Sequence, residues 1–588
     1  MAGVSIPLSK KLKRQNAPVR PSEHSDVAAS LVVQLVREGA ASSGGGENDD
    51  DAAHQEQQRT VIPQLDVPST TTPEQLNAIL NQMLKTTEEP VPYAFQVLGR
   101  ELNGPLHKAL AEAGGSAASA ERTIEIKYVP QATFRVRAVT RCTATLPGHK
   151  DSVLKVSFSP DGRALCSGGG DCVVRLWDLS TQTPAEALEG HRGWVQAVAW
   201  SPDAALVATA GMDCETRVWR VRGDGATVSS TARRRKKAAG ITAVPTGAEG
   251  SPATAPANEG ATPCTVLRGH KKSVTSVAWR PAHLQLPARQ LATSSRDGSV
   301  RVWDLGAITS QRCRLTLTMH THAVTCVLWG GQDHIYTASR DASIAVWDAK
   351  DGRCLARLTG HAHWVNFISV STEYVLRTAA FDHTGKFEGN THPSHLVEDS
   401  PDAAAAMEAA RKRYDAALRA TTCKVGSLAE AVGERLVSAS DDFTMFLWCP
   451  LGASRVGDTP QVHSKSIARM TGHVQLVNQA CFSPDGGRHV ASASFDKAIR
   501  LWDGTTGTYI AVLRGHVGAI YQLAWSADSR LLLSGSKDST MKVWDIKTRR
   551  LKGDLPGHAD EVFTCDWSPS SDRAASGGKD KVLKLWSF

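Results

Sequence analysis

One set of four residue types recurs through this 588-residue chain and constrains its fold more than any other feature. Eight times a tryptophan ends an alternating run such as VVRLW or TMKVW, with an aspartate six positions before it and a serine or threonine ten positions before it. A histidine opens each unit, and glycine precedes it everywhere except at Met319. The eight sets are His149, Ser167, Asp171, Trp177; His191, Thr209, Asp213, Trp219; His270, Thr293, Asp297, Trp303; His320, Thr337, Asp341, Trp347; His361, Ser438, Asp442, Trp448; His473, Ser492, Asp496, Trp502; His516, Ser534, Asp538, Trp544; and His558, Ser576, Asp580, Trp586.

The spacing of the compact units identifies the kind of repeat. His149 and His191 are 42 residues apart, and His516 lies 43 residues after His473 and 42 before His558. Period-two runs between Gly, Asp and Ser turns are typical of short strands. This period, with a Gly-His start and a Trp-Asp finish, resembles the WD40 repeat, in which each repeat forms one propeller blade. The resemblance implies a mainly β fold, an eight-bladed propeller, in which the four residues form a buried hydrogen-bonded chain.

The two ends of the repeat region are predicted to close the ring. The sequence ends two residues after Trp586, so the last blade lacks its outer strand. The segment TRCTATL (140–146) precedes the first blade and has no earlier blade to join. We expect it to pair with the last blade, which removes both open sheet edges. The propeller is predicted over 139–588.

Departures from the period locate two insertions. One, at about 222–262, is rich in Ala, Gly, Thr, Pro and Arg and is predicted to be disordered. The other, at about 383–432, contains PDAAAAMEAARKRYDAALRA (401–420), whose residues are good helix formers. This helix is expected to project from the propeller rim, either as a partner-binding element or as a passive stiffener of the loop.

Catalysis is the main alternative for recurring serine, histidine and aspartate, which are also the members of a hydrolase triad. Eight copies with a tryptophan at a fixed offset favour the structural interpretation, because an enzyme needs one site. His361 and His363 form an H-x-H pair, but His361 is already a blade histidine. The sequence contains neither G-x4-G-K-[ST] nor H-E-x-x-H, so we predict no catalytic residues and no enzyme.

Residues 29–138 do not follow the blade pattern. LVVQLVRE (31–38), TVIPQLDVP (60–68), YAFQV (93–97) and TIEIKY (123–128) are predicted strands. The capping box Thr72-Pro73-Glu74-Gln75 starts a helix with apolar residues at helical spacing, and LHKALAEA (106–113) predicts a short second helix. Hairpin, helix, strand, short helix, strand is the order of a ubiquitin-like β-grasp fold, which is α+β. Residues 1–28 are predicted to be a disordered basic tail.

A ubiquitin-like domain followed by eight WD40 blades resembles the Notchless family. The most distinctive matching segments are FRVRAVTRCT (134–143), ASASFDKAIRLWDG (491–504) and GHADEVFTCDWSP (557–569). The resemblance implies an assembly factor of the large (60S) ribosomal subunit in the nucleolus and nucleoplasm. Its propeller would dock on the pre-60S particle, with its rRNA, ribosomal proteins and other assembly factors, and its N-terminal NLE domain would bind the AAA ATPase midasin.

The resemblance also implies one functional residue, a glutamate that completes the coordination of a Mg²⁺ ion in midasin's MIDAS domain. The family pattern A-F-x-V, a short turn, then Glu and an apolar residue falls here on Ala94–Val97 and Glu101-Leu102. Glu101 is therefore the predicted ligand, with Glu88 and Glu89 as competitors. Without the family it is an exposed loop acid. No cofactor of the protein's own, small-molecule substrate or membrane partner is predicted.

A second hypothesis is a WD40 scaffold in Notch signalling or in ubiquitin-ligase substrate recognition. A partner that depends on Mg²⁺ and on a carboxylate separates it from the first, because a generic scaffold has no use for Glu101. The net charge of +8 permits contact with nucleic acid but does not require it. Two basic runs are candidate nuclear-import signals or rRNA contacts, with a solvated loop as the plain alternative: Lys10, Lys11, Lys13, Arg14 and Arg233, Arg234, Arg235, Lys236, Lys237.

The remaining composition excludes several classes of protein. Twelve cysteines include no C-x2-C pair, so we expect reduced thiols rather than metal ribbons or a disulfide framework. No apolar run approaches the length of a membrane-spanning helix. The N-terminal segment lacks the apolar stretch of a secretory signal, so we expect an intracellular protein.

Overall fold

The computed structural model describes residues 30–37, 65–83, 93–97, 100–102, 105–107, 110, 124–130, 136–221, 264–308, 312–382, 385–387, 396, 400–419, 433–456 and 459–588. The chain divides into two compact units, and the boundary between them follows Tyr128. None of the helices in the described ranges has the length and apolar character that crossing a membrane requires.

The first unit is a five-stranded sheet with one long helix. Its elements are β1 (Ser30–Arg37), β2 (Leu65–Pro68), α1 (Pro73–Met83), β3 (Tyr93–Val97), β4 (Arg100–Glu101) and β5 (Ile124–Pro130). The strand order β2-β1-β5-β3-β4 is that of a β-grasp fold. Of the predicted second helix, only Leu106, His107 and Leu110 are described, and all three are helical.

The core of the first unit follows from the two periodicities. Along β1 and β5 the alternate residues Val33 and Ile126 are fully buried, and Leu76 and Leu80, four apart on α1, are fully buried against them. At the start of α1 the backbone N–H of Thr72 donates to Oε1 of Gln75 at 3.0 Å, which is half of the predicted capping box.

The second unit contains eight four-stranded antiparallel sheets, so the predicted fold class, an eight-bladed propeller preceded by a β-grasp domain, is confirmed. Blades 1 to 4 run in chain order: β7 (Val153–Phe158), β8 (Ala164–Gly169), β9 (Val174–Asp178), β10 (Thr183–Leu188); β11 (Val195–Trp200), β12 (Leu206–Gly211), β13 (Glu215–Arg220), β14 (Cys264–Arg268); β15 (Val274–Trp279), β16 (Gln290–Ser295), β17 (Ser299–Asp304), β18 (Cys313–Thr318); and β19 (Val324–Trp329), β20 (His334–Ser339), β21 (Ser343–Asp348), β22 (Cys354–Thr359).

Blade 5 is interrupted, and blade 8 is completed by a strand from the start of the unit. Blades 5 to 8 are β23 (Val365–Val370), β24 (Leu436–Ser440), β25 (Met445–Trp448), β28 (Ala468–Met470); β29 (Val477–Phe482), β30 (His489–Ser494), β31 (Ala498–Asp503), β32 (Tyr509–Arg514); β33 (Ile520–Trp525), β34 (Leu531–Ser536), β35 (Thr540–Asp545), β36 (Arg550–Pro556); and β37 (Val562–Trp567), β38 (Arg573–Gly578), β39 (Val582–Ser587) with β6 (Arg141–Pro147). A hairpin absent from our sequence predictions, β26 (Leu451–Val456) with β27 (Thr459–Val462), separates β25 from β28.

The ring closes as the sequence predicted. Strand β6 pairs antiparallel with β39, with Leu146 opposite Leu583 and Ala144 opposite Leu585. Hydrophobic clusters lie between neighbouring blades, and the cluster at the junction of blades 8 and 1 contains Trp177, which is fully buried. Each blade therefore buries its apolar faces on its neighbours rather than on a common centre.

The structure divides the chain before the predicted boundary at residue 138. Val139 is fully buried in a cluster with Leu531 and Val543 of blade 7. The backbone N–H of Val136 donates to Oδ2 of Asp528 at 2.9 Å. The segment before β6 thus packs on the propeller, because its apolar residues are buried against those of blade 7.

Candidate interaction sites

The repeated residues form one hydrogen-bonded chain in every blade. In blade 7, Trp544 Nε1 donates to Ser534 Oγ at 2.9 Å. Ser534 Oγ lies 2.7 Å from His516 Nε2, and His516 Nδ1 lies 2.8 Å from Asp538 Oδ2. The corresponding atoms are 2.6 to 3.2 Å apart in the other seven blades.

Burial favours the neutral form of four of these histidines. It lowers the pKa of the four histidines for which a shift is resolved, although the adjacent aspartate opposes the change: His149, His270, His516 and His558. A neutral ring with Nδ1 protonated donates to the aspartate and accepts the hydroxyl proton at Nε2. For Asp297, burial raises the pKa, but hydrogen bonds from Ser299 and the backbone of Lys271 outweigh it and lower the pKa to about 2.

This arrangement stabilises the blade and has no access for a substrate. The serine or threonine of each set is 0% exposed, and its oxygen is already engaged by tryptophan and histidine. A catalytic nucleophile has to reach its substrate, so these sets differ from a hydrolase triad in surroundings as well as in number.

The insertion in blade 5 covers one face of the ring. Its helices are α2 (Glu373–Thr378) and α3 (Pro401–Arg419), between β23 and β24. The prediction that the second helix projects from the rim is wrong. Ala406 and Ala410 of α3 are buried against Ala282 and Leu286 of blade 3. The spacing of Ala403, Ala406 and Ala410 is the sequence signal of this buried face.

A buried glutamate joins the insertion to blade 4. Glu434, 1% exposed, accepts hydrogen bonds from the backbone of Gly331 at 2.8 Å and from Thr372 Oγ1 at 2.7 Å. The hydroxyls of Tyr336 and Tyr414 also donate to it, at 3.2 and 3.1 Å. Burial, together with the nearby carboxylate, raises the pKa of both tyrosines, so they stay protonated as donors. Sequence reasoning missed this network.

The short helix α2 extends the cover to blade 8. Arg377 contacts Asp566 through both terminal nitrogens, at 3.0 and 3.1 Å, and the Tyr374 hydroxyl donates to the backbone oxygen of Pro569 at 3.2 Å. The first strand of each blade is its inner strand, and these contacts lie at or just after the C-terminal end of the inner strand of blade 8. The tetrad histidines precede the inner strands and therefore lie at the opposite face of the ring. Among the residues that the structure describes, the insertion covers the face opposite to these histidines, and we call the histidine-side face the open face.

Glu101 lies in β4, and not in the loop that the sequence predicted. It pairs with Gln96 of β3, and the next residue, Leu102, is 4% exposed and donates its N–H to the Phe95 oxygen at 2.8 Å. Strand β4 is the last strand of its sheet, so the backbone at Glu101 is held at an edge. Glu88, Glu89 and both basic runs lie outside the described residues.

A metal site made by this chain alone is not found among the described residues. There, no three histidine, cysteine, aspartate or glutamate side chains are grouped closely enough to hold a metal ion. A metal bound through Glu101 would need its other ligands from a partner.

The fold defines the class as WD-repeat proteins with an N-terminal β-grasp domain. The NLE (NUC135) domain model matches residues 53–110, and the model of the WD domain, G-beta repeat, matches seven segments from 140–178 to 549–587. No matched segment covers 349–463, where the insertion divides blade 5.

Curated relatives match most of the chain. It is 42% identical to Protein Notchless of Drosophila melanogaster, over 72% of each chain. It is 45% identical to the Notchless protein homolog of Arabidopsis thaliana, over 77% of this chain and 79% of that one. Ribosome assembly protein 4 of Saccharomyces cerevisiae is 41% identical over 76% of each chain. The chain belongs to the Notchless family.

Proposed function

We propose that this protein is a non-catalytic assembly factor of the large ribosomal subunit. The observation that carries the proposal is the extent of its similarity, over about three quarters of the chain, to relatives named Ribosome assembly protein 4: 76% of it for the yeast protein and 75% for that of Chaetomium thermophilum. The protein works as an adaptor with two ends. The propeller docks on the pre-60S particle in the nucleolus and nucleoplasm, and the β-grasp domain is bound by midasin.

Glu101 is the residue proposed to meet midasin. Mg²⁺ prefers carboxylate oxygens in octahedral geometry, and one open position on a MIDAS-bound ion accepts one carboxylate. An edge strand is accessible to a second protein, and β4 has this position in the sheet. ATP-driven motion of midasin then pulls on the adaptor and remodels the particle.

Binding of the full-length chain to the midasin MIDAS domain tests this step. We expect Mg²⁺-dependent binding that is abolished by EDTA and by Glu101→Ala, and weakened by Glu101→Asp, because the shorter side chain withdraws the oxygen by about one bond length. Glu74→Ala, at an exposed glutamate in the first turn of α1, is the matched control and should bind normally. Circular dichroism checks that each variant is folded. Normal affinity of the Glu101→Ala protein contradicts the assignment.

A complete absence of binding in wild-type protein would favour the second function. The Drosophila relative carries the name Protein Notchless. The favoured function would then be that of a WD40 scaffold in Notch signalling or in ubiquitin-ligase substrate recognition. Its partners would bind without Mg²⁺ and without regard to Glu101.

A further inference from the structure

The open face carries an uneven distribution of charge. Two loops of each blade form this face: the loop before the inner strand, which carries the tetrad histidine, and the loop between the second and third strands, which carries the tetrad aspartate. The hydrogen bond between this histidine and this aspartate joins the two loops. On blades 2 to 4 these loops present five exposed cations, with no described carboxylate within 4 Å of any of them. We call these residues the basic arc: Arg192, Lys271, Lys272, Arg296 and Arg340.

Carboxylates are few in this sector and mostly engaged. The tetrad aspartates of these blades accept bonds from histidine and backbone. Glu215 pairs with Arg217 and Arg268 at 2.8 and 2.7 Å, which leaves Glu189 as an exposed acid beside the arc. Blade 8 differs, because Lys579 pairs with Asp560 at 3.3 Å and Glu561 neutralises Lys537 of blade 7 at 3.7 Å.

Two tryptophans lie at the ends of the basic arc. Trp194 on blade 2 is 51% exposed and Trp364 on blade 5 is 39% exposed. The guanidinium of Arg340 lies 4.4 Å from the ring centroid of Trp364, so one aromatic face is already paired with a cation. Exposed tryptophan leaves a large apolar ring in water, which is typical of binding surfaces.

We propose that the basic arc binds single-stranded RNA, with phosphates at the cations and bases stacked on Trp194 and Trp364. An unpaired strand presents both phosphates and bases, and the arc offers a partner for each: a row of cations for the phosphates and an exposed aromatic ring at either end for a base. An acidic peptide could pair its carboxylates with the cations, but it has no planar group to stack on each tryptophan ring. The proposal rests on the proposed function in one respect, since a pre-ribosomal particle supplies such RNA. The described part of the insertion lies on the opposite face.

Fluorescence anisotropy with the full-length chain and a labelled, unstructured RNA of about 16 nucleotides tests the arc. The triple variant Lys271→Glu, Lys272→Glu, Arg296→Glu should weaken binding by about tenfold or more and flatten the salt dependence, because each lost phosphate contact removes about one counterion release. Trp194→Ala with Trp364→Ala should cost about tenfold through lost stacking. The control reverses three exposed lysines elsewhere on the open face and should bind within about twofold of wild type: Lys150→Glu, Lys497→Glu, Lys581→Glu.

Three outcomes overturn the proposal. Equal losses in the arc and control variants mean that only the overall positive charge attracts RNA. Wild-type RNA affinity in the arc variant places RNA elsewhere on the chain. If a polyglutamate peptide displaces the RNA and the tryptophan substitutions leave the RNA affinity unchanged, the arc is a site for an acidic protein. Midasin binding by the arc variant and RNA binding by Glu101→Ala are measured in parallel, so that failure of one proposal is distinguished from failure of the other.

Discussion

Replacing Asp538 with alanine removes the acceptor at the end of the hydrogen-bonded chain in blade 7. Five donors converge on its carboxylate: His516 Nδ1 at 2.8 Å, the backbone N–H groups of Val517 at 2.9 Å and Gly518 at 3.4 Å, and the backbone and hydroxyl of Thr540 at 3.1 and 2.6 Å. The His516 side chain is 0% exposed and that of Asp538 is 13% exposed. Water can therefore replace the carboxylate near the surface but not at the histidine ring.

The magnitude follows from this difference in access to water. An unsatisfied buried donor costs about 1–3 kcal/mol, and this applies to the ring N–H of His516. The donors of Val517 and Thr540 exchange a charged acceptor for water and add about 1 kcal/mol together. We expect the free energy of unfolding to fall by about 2–4 kcal/mol.

Urea unfolding followed by tryptophan fluorescence measures the change, because Trp544 belongs to the same chain of bonds. Asp351→Ala is the matched control, since this exposed turn aspartate accepts a backbone hydrogen bond from Arg353. It should change stability by less than about 0.5 kcal/mol. RNA and midasin binding of the folded Asp538→Ala protein should remain normal. Equal stability of the two variants would refute the reasoning that the tetrad is a buried structural network.

Two further predictions concern pH and the insertion. Burial lowers the pKa of four tetrad histidines below the ordinary 6.5: His149, His270, His516 and His558. Their contribution to stability is complete above about pH 6.5 and is lost as the pH falls towards the pKa of the folded state, because protonation then favours the unfolded chain. We therefore expect the urea concentration at the unfolding midpoint to decrease when the pH is lowered from about 7.5 to about 5.5, and to stay constant above about pH 7.5. An unchanged midpoint contradicts neutral buried rings. Glu434→Ala should lower stability by about 3 kcal/mol and open the insertion to limited proteolysis, because it leaves the donors of Gly331, Tyr336 and Tyr414 buried without their acceptor. Resistance equal to wild type would mean that other contacts hold the cover in place.

Local sequence patterns predicted much of the structure of the second unit. The repeated histidine, hydroxyl, aspartate and tryptophan predicted the number of blades and the composition of each network. Segment 140–146 predicted the closing strand, and the structure pairs β6 with β39. The capping box and apolar spacing predicted α1. Each of these features is encoded within one blade or one element, where spacing alone decides which side chains meet.

Some features depended on contacts between distant parts of the chain. Strand β4 has only two residues, too few for a recognisable alternation, and it forms because β3 offers an edge. Glu434 finds its donors 20, 62, 98 and 103 residues away. No local pattern indicates such a network.

The sequence by itself determined the class of fold, the number of blades and the family resemblance, because the same residue types at the same short spacings recur eight times. Tertiary structure alone decided which face the insertion covers and which cations stand together. Arg192, Arg296 and Arg340 belong to three consecutive blades, and the packing of each blade on the next places them on the same face of the ring. Long-range packing sets both arrangements, since the surface that receives a segment is built from residues far away in the chain.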